Sequence, residues 1–201
     1  MAIGLTGGLA CGKSEVGRLL AREGAAVLDT DAVVRELQKS GRPVFRAIVR
    51  RFGRGILDRR GGLARGRLAQ RVFADPRERR ALEAIVHPAV IATMRRWLRA
   101  RARGKKPAVV LVPLLYEVGL ADPWDAIVCV TAPKEQVMAR LVRRGLTTAE
   151  ARARLAAQWP PGEKAKKADY VVRNNGSLDE LAKRVRALWE KMMREERCDD
   201  A

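Results

Sequence analysis

The chain has 201 residues, 47% of them hydrophobic, enough to bury the core of one domain plus an elaboration. No apolar run approaches the roughly 20 residues that cross a bilayer, which excludes a membrane-spanning helix. The three cysteines, Cys11, Cys129 and Cys198, stand far apart without a C-x-x-C spacing, which excludes a disulfide framework and a zinc site.

Residues Ala2–Thr6 have the length and apolar character of a buried strand. Directly after them Gly7, Gly8, Leu9, Ala10, Cys11, Gly12, Lys13 and Ser14 spell G-x-x-x-x-G-K-S/T, and Val16, Leu19 and Leu20 then recur at helical spacing. Strand, glycine-rich loop and helix in succession make a phosphate-binding loop. Glycines let the backbone turn tightly and aim successive N–H groups inward. The helix start adds donors and the positive end of its dipole. Lys13 is expected to reach the terminal phosphates of ATP and the Ser14 hydroxyl to hold Mg²⁺. Because the first strand enters this loop at once, no basic-then-apolar leader is expected and the protein is read as cytoplasmic. Cys11 occupies a position the motif leaves open. It is either a small tolerated side chain or a thiolate stabilised by the loop amides.

Ala25–Leu28 reads as a second strand, followed by Asp29, Thr30 and Asp31. Carboxylates just past a strand belong at the carboxyl edge of a parallel sheet, where open α/β folds bind ligands. Asp31 either caps the next helix, which carries Val33, Val34 and Leu37, or serves as the base a kinase needs. From residue 41 the strand–helix alternation stops. Val44, Phe45, Ile48, Val49 and Phe52 mark a helix, glycines 53 to 66 a loop, and Leu68, Val72 and Phe73 a shorter helix. Asp75, Pro76 and Glu78 open another, with Leu82, Ile85 and Val86 at helical spacing. Pro88 is expected to end or kink it before residues 89–102 resume it. Residues 42–106 hold 20 Lys and Arg against 4 Asp and Glu, which is most of the net charge of +18. That implies a polyanionic partner or a solvated arginine surface. With aromatics at 4%, stacking platforms for single-stranded nucleic acid are scarce. Residues 41–104 thus read as an inserted helical subdomain.

Ala108–Val112 is a β-branched strand without charge, leading to Pro113, Leu114, Leu115, Tyr116 and Glu117. Asp125–Thr131 is the next strand, and Pro133 opens a helix that ends with Arg140, Arg143 and Arg144. Thr147 and Glu150 form a capping box for a short helix to Gln158, which Trp159–Gly162 stop. Residues 140–167 are basic with little apolar surface and read as a mobile lid. Tyr170–Val172 is a fifth strand, ending in Asn174 and Asn175. Ser177 and Glu180 cap a last helix with Leu181, Val185, Leu188 and Met192 on its core face, and residues 195–201 read as a polar, frayed tail.

Five strands with intervening helices, a phosphate loop after the first and an arginine-bearing lid describe a small-molecule P-loop kinase with a five-stranded parallel sheet and helices on both faces. Its core is residues 1–40, 105–139 and 168–201. More narrowly, the chain resembles the dephospho-CoA kinase family over nearly its whole length. The resemblance lies in Leu5–Gly8 entering the loop, Asp29–Asp31, Gly62–Arg65 with Leu68, and Val72–Phe73. It continues in Leu82–Pro88, Val112–Glu117, Gln136 with Arg140, Gln158, Ala168–Asp169 and Asn174–Gly176. The segments L-E-x-I-x-H-P and V-P-L-L-Y-E together are the specific part. It departs from the family at Glu15, usually a hydroxyl residue, and Ala64, often Asp.

The resemblance implies transfer of the ATP γ-phosphate to the ribose 3′-hydroxyl of dephospho-CoA. It implies Asp31, Lys13 and Arg140 as catalytic residues, Gly7 to Glu15 with Asn175 as the ATP site, and Asp31, Arg65, His87, Leu115, Tyr116 and Glu117 on the acceptor side. A monomer or weak oligomer without obligatory nucleic acid or membrane is expected. The rival readings are a kinase for a nucleoside, nucleotide or shikimate, a nucleic-acid-binding P-loop protein, and a non-catalytic relative.

Overall fold

A computed structural model describes all residues except 103, 105, 121–123, 200 and 201. The expected closing boundary of the insertion at Lys105, and the last two residues of the tail, lie outside the described residues. Five strands form one parallel sheet: β1 (Ala2–Gly7), β2 (Ala26–Asp29), β3 (Ala108–Leu111), β4 (Ala126–Thr131) and β5 (Tyr170–Arg173), in the order β2-β3-β1-β4-β5. All five expected strands are present, with ends shifted by at most one residue. The central strand β1 pairs with β3 through Ile3↔Val109 and with β4 through Leu5↔Val128. Strands covered on both faces need apolar residues throughout, and Ile3, Leu5, Val109, Val110, Val128 and Val130 are all fully buried.

Nine helices are described. On the sheet lie α1 (Lys13–Arg22) and α9 (Leu178–Asp199), which share a core of Val16, Leu19, Leu20, Leu181, Val185, Trp189 and Met192 with the strands. The expected Ser177–Glu180 box is formed: the Glu180 amide donates to Ser177 Oγ at 3.2 Å and the Ser177 amide to Glu180 Oε2 at 2.7 Å. Helix α9 does not fray at Glu195 but continues to Asp199. Lys191 pairs with Glu195 one turn on, and the Tyr170 hydroxyl donates to the same carboxylate, so side chains tie the last turns down.

The chain divides into two compact units, residues 1–29 with 101–201, and residues 30–100. The second unit is helical, with α2 (Thr30–Leu37), α3 (Pro43–Phe52), α4 (Arg65–Ala74) and most of α5 (Pro76–Arg101). It has its own core of Val44, Ile48, Phe52, Ile56, Leu68, Val72 and Val86. Its glycine-rich segment is more ordered than the sequence implies: a 3₁₀ turn over Arg54–Ile56 buries Ile56, and Leu57 bridges to Leu63. Helix α5 runs unbroken through Pro88. The proline removes one backbone bond, and Val86, Met94 and Leu98, buried on either side of it, hold the helix together.

The remaining helices are α6 (Lys134–Arg143), α7 (Thr148–Ala156) and α8 (Pro161–Lys166). The last was not legible as a helix, because Pro160 and Pro161 read as a stop. Proline is favoured at a first helical position, where its missing N–H costs nothing, and Pro161 occupies that position. No helix among the described residues is long and apolar enough to cross a membrane. Truncating the central strand tests the ledger of burial: Leu5→Ala is expected to cost about 2–5 kcal/mol, read as a lower urea midpoint at unchanged slope.

Candidate active site

The loop after β1 is shaped by backbone angles few side chains allow. Gly7 has φ 145°, Gly12 φ 103°, and Ala10 sits at φ 57°. A Cβ at Gly7 would lie 2.2 Å from the Val130 carbonyl oxygen, and one at Gly12 2.2 Å from Asn174 Nδ2. Gly12 is the N-cap of α1 and offers no side-chain cap, and its carbonyl accepts from the Glu15 and Val16 amides at 3.0 Å each, while the helix start turns the positive end of its dipole to the loop. Lys13 Nζ donates to the carbonyls of Gly7 at 3.0 Å and Gly8 at 2.8 Å, which holds the ammonium at the loop. Ser14, the second residue of α1, is exposed, while Leu9 and Ala10 pack against Val137, Leu141 and Ala151.

Two side chains brace this loop from neighbouring strands' exits. Arg140 of α6 donates to the Ala10 carbonyl at 3.1 Å and to Gln136 Oε1 at 3.2 Å, so it lies on the loop. Asn174, just past β5, is buried and donates from Nδ2 to the Cys11 carbonyl at 2.9 Å. The neighbouring Asn175 is exposed; Arg184 donates to its Oδ1, and Gln136 donates to its carbonyl at 3.2 Å. The sequence points to Asn175, whereas the residue bonded to the loop is Asn174. The alternation of β5, with Val172 buried and Arg173 exposed, puts Asn174 on the inner side and was the available signal.

Cys11 is almost wholly buried, and burial pushes its thiol up from the ordinary value despite the nearby Lys13. Burial therefore favours the neutral thiol over the thiolate alternative, because desolvation opposes the loop's positive potential. Burial likewise pushes Cys129 up to about 11.

Past β3, Leu115 is wholly buried against Gly4, with its Cδ1 3.0 Å from where a Cβ would stand there. The Tyr116 ring stacks on Trp159 with centroids 6.2 Å apart, and burial pushes its hydroxyl up to about 12. Glu117 Oε1 accepts from Lys164 Nζ at 2.7 Å and from the Trp159 amide at 3.0 Å. Lys164 has no exposed surface and also donates to the Pro113 carbonyl at 2.8 Å. Its role escaped the sequence, where a run of lysines reads as a solvated face. Likewise the basic segment 140–167 carries more packing than expected, since Ala151 is fully buried beside α6 and Pro161 Cγ lies 2.8 Å from a Cβ built on Gly8.

In the helical unit Asp31 is exposed in the first turn of α2, Arg65 is exposed at the start of α4, and His87 is half-buried in α5. Asp29, two residues before Asp31, ends β2 at the sheet's carboxyl edge. Among the described residues no cluster of three His, Cys, Asp or Glu is poised to hold a metal.

A family model described as dephospho-CoA kinase matches residues 1–180. The chain belongs to the dephospho-CoA kinase family. The dephospho-CoA kinase of Symbiobacterium thermophilum is 51% identical over 189 residues, covering 93% of this chain and 79% of that one. That of Anaeromyxobacter dehalogenans is 51% identical over 182 residues, covering 90% and 86%. Among solved structures, a Thermus thermophilus protein superposes with a TM-score of 0.76 at 35% identity, covering 95% and 97%.

The two departures from the dephospho-CoA kinase pattern have local accounts. Glu15 lies in the first turn of α1, where the helix dipole favours an acid, and pairs with Arg18 on the outer side. Ala64 is the N-cap of α4 and supplies no side-chain bond. An Asp there would cap the helix, so Ala64→Asp is expected to stabilise the chain by about 1 kcal/mol, read as a raised denaturation midpoint. Thiol burial gives a second test. In the native protein one thiol, the exposed Cys198, should react quickly with a disulfide reagent at pH 8, and Cys11 and Cys129 only on unfolding.

Proposed function

We propose that the chain transfers the γ-phosphoryl group of ATP to the ribose 3′-hydroxyl of dephospho-CoA, giving coenzyme A and ADP. The observation that carries this reading is the pairing of a phosphate loop of the required backbone shape with an arginine laid on its Ala10 carbonyl, in a chain of this family. Phosphoryl transfer asks the protein for positioning and charge neutralisation more than covalent chemistry. The amides of residues 7–14 hold the triphosphate, and Lys13, a flexible cation already at the loop, turns to its outer phosphates. Ser14 would hold Mg²⁺, which when bound offsets the charge of the β- and γ-phosphates. Arg140 faces the charge that develops on the transferred group. Asn175, with Gln136 beside it, is the adenine-side contact.

Asp31 orients the sugar hydroxyl and accepts its proton. It follows the β2 exit by two residues, and in open parallel sheets that edge carries the chemistry. On the helical unit Arg65 and His87 are the acceptor-side candidates, and on the sheet-bearing unit Leu115, Tyr116 and Glu117 after β3 are. Residues 41–104 serve as the acceptor-binding subdomain and 140–167 as the lid.

Release of ADP measured with and without dephospho-CoA tests the assignment. Stimulation by dephospho-CoA, and not by nucleosides or shikimate, is expected. Replacing the base with Asp31→Ala should lower kcat about 10²–10⁴-fold and leave ATP affinity nearly intact; near-wild-type turnover would remove Asp31 from the mechanism. Arg140→Ala should lower turnover more than it weakens ATP binding, and an effect confined to ATP affinity would make it a binding residue only.

A further inference from the structure

Helix α6 presents two sides. Gln136 and Arg140, one turn apart, bond to the Asn175 and Ala10 carbonyls. Lys134 and Met138, also one turn apart, are offset from that pair by two residues, about 200° around the helix. They therefore lie on the opposite side of α6 from Arg140. On that side α6 and α7 leave a groove of about 400 Å³, lined by Lys134, Met138, Arg152, Leu155 and Ala156. None of these residues belongs to the site described above. The row on α6 continues four residues on to Val142, which is 48% exposed, so apolar surface runs on past the groove.

The lining has two chemical parts. Met138 and Leu155 are partly buried against Val137, Leu141 and Ala151 and give an apolar floor. Lys134 and Arg152 are exposed, and neither pairs with a carboxylate among the described residues. The start of α6 has no side-chain cap, so the positive end of its dipole adds to the Lys134 charge. Of the nearby acids, Glu150 is taken up in the Thr147 capping box, and Glu135 stands about 100° further round α6 than Lys134. Two cations above an apolar floor complement a molecule with one anionic group and an apolar chain. The volume falls within the roughly 300–1,000 Å³ of small-molecule sites. A second copy of this chain suits the groove poorly, because each copy carries a net charge of +18.

We propose that the α6–α7 groove is a second binding site, for an anionic amphiphile. Its carboxylate or phosphate sits between Lys134 and Arg152, and its alkyl chain lies along Met138, Leu155 and Ala156. A ligand there touches both helices and holds α7 onto α6, the helix that carries Arg140 on its other side.

The test is titration calorimetry of the full chain with octanoate and octyl phosphate below their micelle concentrations. Octanol and octylamine serve as uncharged and cationic counterparts. Saturable one-to-one binding of at least one anion is expected, about tenfold or more tighter than octanol, with no octylamine bound. The tighter anion names the head group. Lys134→Gln and Arg152→Gln should each weaken binding about threefold, and together about tenfold. Ala156→Trp, which places a ring in the groove, should abolish it. The two glutamine variants change exposed side chains only, so they keep the test decisive if the tryptophan variant fails to fold. Absence of saturable binding by either anion, or unchanged affinity in the double glutamine variant, would overturn the proposal. So would full displacement of the anion by ATP, which would place it in the phosphate loop. An apparent mass that rises with protein concentration, and that Ala156→Trp holds constant, would make the groove a contact between copies and overturn it as well.

Discussion

The loop between β1 and α1 has no room for side chains at its two ends, and the rest of the site is built around that shortage of space. Gly7 is pressed against the Val130 carbonyl of the next strand and Gly12 against the Asn174 amide, each close enough that a single added carbon would overlap a neighbour. The positive φ values at both positions add to the same demand. Because the backbone is wedged from β4 on one side and from the exit of β5 on the other, its amides are held in one arrangement before any ligand arrives. Preorganised dipoles of this kind spend no free energy on reorganising at the moment charge develops. The bonds from Arg140 and Asn174 to the Ala10 and Cys11 carbonyls serve the same end, because each fixes a loop peptide from outside the loop.

A second constraint is electrostatic. The unit that carries the loop also hides a complete ion pair, Glu117 with Lys164. Such a pair adds little to stability over an apolar substitute, yet removing one partner strands the other, at about 3–5 kcal/mol. Its effect is thus to specify geometry. Through one carboxylate oxygen it joins the exit of β3 to both the Trp159 turn and α8. A stretch that composition presents as solvated is in this way tied to the carboxyl edge of the sheet.

What could be read from the residues alone follows from the range of the forces involved. Local signals were reliable: the five apolar strands, the phosphate-loop spacing and the boxes at Thr147 and Ser177 each depend on residues within a few positions of one another. Leu5 and Val109 were recognisable because a strand buried on both faces has to be apolar throughout. The family resemblance supplied the acceptor-side candidates, which periodicity could not. Lys164 was illegible because its burial depends on a carboxylate 47 positions earlier, visible only once the sheet is assembled. Asn174 was missed for want of counting the pleat, a two-residue period in which one step reverses the face. The continuity of α5 through Pro88 is again a tertiary outcome, since apolar contacts on both sides of the proline outweigh a local preference to break.

The sheet's hydrogen-bond pattern also bears on how the chain matures during synthesis. Strands β1 and β2 do not bond to each other; each bonds to β3. On a ribosome, the first thirty residues therefore emerge without a mate for either ribbon, and wait until Ala108–Leu111 has been translated. The whole helical unit, with its separate core, appears in that interval. Domains generally fold as units during translation, and exposed strand edges invite association with other chains. The inserted unit is thus complete in sequence before the strand that joins β1 to β2 has been made.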